Sequence, residues 1–98
     1  MKKSSQISIT LQGQGKNAKE AFINAIGKVQ SEILKDNENI ILRIEPVNVD
    51  VIKSEVKIKK ERFLFLFLPR VVETYFITLD VMVDVTLFEL DSIDFKQI

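Results

Sequence analysis

A chain that carries out acid–base or nucleophilic chemistry needs side chains that titrate or attack near neutral pH. This sequence has no histidine and no cysteine. The commonest general base, the thiol nucleophile and any thiolate metal site are therefore missing. Its serines and threonines stand without a recognisable activating base. Two groups of residues keep some chemical potential. Asp80 and Asp84 fall on one face of an alternating segment, with Glu45 and Asp50 expected near them across a sheet. Paired carboxylates can hold a divalent cation or exchange protons; the plainer reading is that they solvate an outer sheet face. The second group is "GQGK", with Gly13, Gly15 and Lys16 just ahead of a helix. Backbone N–H groups in such a loop can receive an anion, with Lys16 assisting. The full phosphate-loop pattern and the third glycine of the dinucleotide fingerprint are absent, so the plainer reading is a turn.

The elements that position these residues follow from periodicity. In "QISITLQ", residues 6–12, Ile7, Ile9 and Leu11 alternate with polar residues, the mark of a half-buried strand. Asn17 and Glu20 form a capping-box-like pair. After them Ala18, Ala21, Phe22, Ala25, Ile26, Val29 and Ile33 recur at three- and four-residue spacing, which predicts one amphipathic helix over about residues 18–35. Gly27 lies inside it. Residues 40–60 read as a long extended segment whose apolar phase is even through Ile40, Leu42 and Ile44. It turns odd after Pro46 and even again near Ile52. Each switch requires a bulge or bend, because strand faces alternate strictly. In "TYFITLDVMVDVTLF" one face holds Tyr75, Ile77, Leu79, Val81, Val83, Val85 and Leu87. The other mixes Phe76, Met82 and Phe88 with Thr78, Asp80, Asp84 and Thr86. The first face reads as core, with Phe22, Ile26 and Ile33 packed on it. The second is expected to meet another chain or the C-terminal tail.

One stretch lacks an internal explanation. In "KKERFLFLFLPR", Phe63, Leu64, Phe65, Leu66, Phe67 and Leu68 form an unbroken apolar run. It is far short of the ~20 residues that span a bilayer. As a strand it needs cover on both faces. The plainer reading is a locally buried hairpin whose second face the C-terminal tail covers; the favoured expectation is that it meets another subunit, a membrane protein or a membrane surface. Lys57, Lys59, Lys60, Arg62 and Arg70 flank it. They suit anionic headgroups, and they also act as gatekeepers against amyloid-like pairing.

Length and balance set the outer limits. With 98 residues the chain fits a single domain, 1–98. Lys plus Arg equals Asp plus Glu, 14 of each, so nucleic acid is not an expected partner. The opening "MKKSSQISITLQGQGK" has no apolar run of signal-peptide length.

The order of elements resembles dodecin, a small flavin-binding protein of bacteria and archaea. The stretches that carry the likeness are "ITLQGQGKNAKEAFINAIGKVQSEI" and "TYFITLDVMVDV". The resemblance implies a strand, a helix and two long antiparallel strands wrapped around it. Dodecins stack flavin on a tryptophan of the middle strand; this chain has no tryptophan, so no cofactor is expected. It also carries about twenty extra residues around "KKERFLFLFLPR". Through "GKNAKEAF", "LRIEP" and "RFLFLFLPR" the chain is also similar to an uncharacterised bacterial family, domain of unknown function 4312. That likeness implies a cytoplasmic protein encoded beside membrane components of a sugar-type uptake system, and no catalytic residue.

The sequence thus predicts an α+β fold: a β-α-β-β antiparallel sheet of three to four strands with one helix on one face. It predicts a non-enzymatic, cytoplasmic, self-assembling protein, associated with a membrane or accessory to a transport system. The alternative is a dodecin-like oligomeric binder of a small aromatic or phosphorylated ligand.

Overall fold

Alternation through Ile7, Ile9 and Leu11 marks one long strand, β1 (Lys2–Gly15), which pairs along its whole length. In the computed structural model, which describes residues 1–35, 38–62 and 69–98, a two-residue turn then leads into α1 (Ala18–Ile26). The Asn17 side chain accepts the Glu20 N–H at 2.8 Å and so caps the helix. Helix α2 (Val29–Lys35) continues it. Between them the Lys28 N–H bonds back to the Ala25 carbonyl, three residues earlier, at 3.1 Å. The helical span is therefore the expected 18–35, with a tightened turn at Gly27–Lys28 that re-aims its second half.

Strands β2 (Ile40–Arg62) and β3 (Pro69–Phe88) form a long hairpin arm. The three strands make one antiparallel sheet in the order β1-β3-β2. This is the α+β arrangement read from the sequence, with three strands. A short 3-10 turn, Leu90–Ser92, follows β3.

The core lies between the helices and one face of β3. Leu79, Val81, Val83 and Val85 are buried there with Leu11, Ala25, Val29 and Ile33. Phe22, Ile26 and Ile77 pack on this cluster while half-buried. Ala21 and Ala25 are small where α1 comes closest to the sheet, and bulkier side chains enter where α2 stands further off.

Strand β2 uses 23 residues to pair with the 20 of β3. The pairing skips Leu42, Val47 and Ile52, so the register shifts at three points. Two of these are the phase changes read after Pro46 and near Ile52. The third is hidden in the sequence. Ile40, Ile41 and Leu42 are consecutive apolar residues, and the structure turns Ile41 and Ile44 to the core, which even spacing alone does not reveal.

The molecule is long and thin, 75 × 32 × 15 Å, with a radius of gyration of 20.5 Å. A compact domain of this length has about 13 Å. The difference comes from the hairpin, which runs on past the end of β1 and the start of α1.

Candidate functional site

Among the described residues no helix or strand packs across the sheet face opposite the helices. Its rows run straight across the three strands: Gln6, Asp84 and Glu45; Ser8, Met82 and Asn48; Thr10, Asp80 and Asp50; Gln14, Phe76 and Glu55. The carboxylates expected to lie together do so, as two facing acidic pairs, Asp80 with Asp50 and Asp84 with Glu45. Like charges directly opposite cost stability. Arg43 relieves one pair through a 2.6 Å contact from its Nη2 to Glu45 Oε2. Among the described residues no group of three or more His, Cys, Asp or Glu is placed to hold a metal ion. Phe76 and Met82 are each 37% exposed on this face, and Phe88 is half-buried between Lys2 and Ile40.

The loop residues Gly13, Gly15 and Lys16 come out as follows. Gly13 and Gly15 lie directly under α1. A Cβ on Gly15 would stand 2.7 Å from the Ala21 amide nitrogen, and one on Gly13 closer still to the helix backbone. Close helix–sheet packing thus requires both glycines. Lys16 is exposed in the turn, and Asn17 already serves the first helical amides.

The helix also makes two contacts that periodicity did not foresee. Asn24 Nδ2 donates to the Gln14 carbonyl at 2.7 Å, and Lys28 Nζ donates to the Gln12 carbonyl at 2.5 Å. Both carbonyls belong to β1, an edge strand. Lone polar residues on a helix flank leave no mark in a hydrophobic pattern, because their partners are distant in sequence.

Among the described residues no strand or helix lies against the hairpin beyond Tyr75. β1 ends where Gly15 pairs with Tyr75, yet β2 and β3 continue pairing from Lys57–Thr74 to Arg62–Pro69. A two-stranded ribbon alone is marginal in water. This one exposes Val71, and Ile58 at 61%. At its base Tyr75 Oη donates to Glu73 Oε2 at 2.8 Å. That hydrogen bond, and the negative charge of Glu73, raise the Tyr75 pKa above its ordinary 10.0. Phe63, Leu64, Phe65, Leu66, Phe67 and Leu68, expected as a contact surface at the hairpin's end, lie outside the described residues.

Among the described residues no helix is long and apolar enough to cross a membrane. Neither a curated protein nor a solved structure matches the chain, so the likeness to dodecin finds no support from comparison. One family model does match, over residues 5–88, which takes in most of β1, both helices, β2 and all of β3. The chain belongs to that family, described as domain of unknown function (DUF4312).

Proposed function

We propose that this protein is a non-enzymatic module that works by assembling with copies of itself, and that the bare hairpin arm is a principal contact. The supporting observation is the ribbon Lys57–Arg62 with Pro69–Thr74, which neither β1 nor a helix covers. Ile58 and Val71 on it are each more than half exposed. Apolar surface held out on an arm gains free energy when another chain covers it. Sedimentation or native mass spectrometry at micromolar concentration tests this: the protein should run larger than its 11.3 kDa monomer. A single 11.3 kDa species ends the proposal. The family likeness extends the reading to a cytoplasmic accessory of a membrane transport complex. Recovery of the protein with washed membranes, lost in an arm variant, would support that extension.

A second reading, a binder of a small aromatic or phosphorylated ligand, has one observation in its favour. A depression of about 610 Å³ is lined by Gln12, Asn24, Lys28, Lys53 and Phe76 among others. It brings an aromatic side chain, Phe76, together with two ammonium groups, of which Lys28 bonds the Gln12 carbonyl and Lys53 pairs with Glu55. Mass retained above an integral number of subunits in the native spectrum would favour it.

A further inference from the structure

The two edges of the sheet differ in kind. β2's outer edge carries Pro46 and is broken at three points by skipped residues, features that spoil strand addition. β1's outer edge is straight: its register with β3 runs from Lys2 to Gly15 without a shift. Backbone direction alternates along it. The Met1 carbonyl accepts the Glu89 N–H on the β3 side, whereas the Gln12 and Gln14 carbonyls receive Lys28 and Asn24. Odd positions therefore face β3 and even positions face outward. Lys28 and Asn24 occupy the outward carbonyls at Gln12 and Gln14. Lys2, Ser4, Gln6, Ser8 and Thr10 present theirs to solvent, and all five residues are exposed.

We infer that this free edge pairs with the same edge of a second copy, antiparallel, about a two-fold axis through Gln6. Three observations choose that occupant and that register. The free run from Lys2 to Thr10 is centred on Gln6 and stops where Lys28 blocks Gln12. Antiparallel pairing about Gln6 sets Lys2 of one copy opposite Thr10 of the other. Thr10 itself lies opposite Asp80, which faces Asp50, so the arriving ammonium sits beside an acidic row that needs it. The alternative, β1 on β2 of the next copy, would have to follow a bulged edge and would not close. Helix α1 lies over residues 13–15, beyond the paired segment, and leaves room for the partner. The exposed Ile7, uncovered on the helix side, is carried into the joined sheet. The result is one six-stranded sheet with both helix layers on the same side.

This interface rests on the self-assembly reading and names a contact separate from the arm. The chain has no cysteine, so a single introduced thiol reports cleanly. Directly opposite residues in an antiparallel pair lie ~5.5 Å apart at Cα, within disulfide reach. Gln6→Cys should therefore give a disulfide-linked dimer under mild oxidation. Ser4→Cys and Ser8→Cys should each fail alone and crosslink when mixed. Ser8→Pro removes an outward N–H and should reduce the assembly without loss of far-ultraviolet circular dichroism. If the proline variant does not fold, Gln6→Glu, which sets two carboxylates face to face beside the Asp84–Glu45 row, replaces it. An assembly in which Gln6→Cys forms no crosslink and which ignores Ser8→Pro or Gln6→Glu overturns the edge pairing and leaves self-assembly standing. A wild type that sediments only as a monomer overturns both.

Discussion

The α1 backbone rests directly on Gly13: a Cβ there would lie 2.3 Å from the Ala21 carbonyl oxygen. No side-chain adjustment relieves such a contact, because the crowded atoms are helix backbone. Gly13→Ala should lower stability by at least about 2 kcal/mol as the helix is forced off the sheet. Gly27→Ala meets the Ile23 carbonyl oxygen at 3.1 Å and the Asn24 carbonyl oxygen at 4.0 Å, and should change stability by less than about 1 kcal/mol. Urea unfolding midpoints of the two variants decide it; equal midpoints would show that α1 does not sit on the strand as described.

The core supplies the next comparison. Leu79 is fully buried, whereas Phe22 is only half-buried at its margin. Leu79→Ala should cost ~2–5 kcal/mol and Phe22→Ala less than about 3 kcal/mol, despite the larger side chain. Against a total stability of about 5–15 kcal/mol, the leucine variant should be severely weakened. Thermal unfolding that ranks phenylalanine above leucine contradicts this order.

The arm should behave in the opposite way. Ile58 and Val71 are more than half exposed, so replacing both with serine should move stability by no more than about 0.5 kcal/mol per site. The same double variant should reduce the mass of the assembly in sedimentation. A variant that unfolds would make these residues ordinary core, and one that folds and assembles at full mass would remove the arm as a contact.

Tyr75 is the only tyrosine in the chain, so its titration can be followed directly by near-ultraviolet absorbance. Glu73 accepts its hydrogen and repels the phenolate. The folded pKa lies above the unfolded value of 10.0. The contribution to stability is therefore present below pH 10.0 and is lost as pH rises through the folded midpoint. Glu73→Gln should bring the midpoint down toward 10.0. A titration unchanged by that substitution would remove Glu73 as the cause.

Much of the architecture was legible because the core is periodic. Ile77 to Val85 alternate on β3, Ala21 to Ile33 recur at helical spacing, and the phase changes after Pro46 and near Ile52 mark two bulges. Three features were not legible. The bulge at Leu42 hides among adjacent apolar residues. The tightened turn at Lys28 depends on how the second half of the helix meets the sheet. The blocking of β1's carbonyls by Asn24 and Lys28 depends on packing between elements. The two glycines of the loop read as a turn, with an anion cradle as the sharper alternative, and their packing role shows only in the distance to α1.

The three skipped residues of β2 have a consequence for colloidal behaviour. Fibrils grow by stacking flat, in-register strands whose edges are all alike. Leu42, Val47 and Ile52 each add a kink and extra twist to the same margin of the sheet. A chain that is 46% apolar and carries a bare hairpin thus has one margin on which stacking cannot propagate. The proposed pairing of the straight margin would use that margin up, so strand addition would end at two copies and could not run on as a fibre.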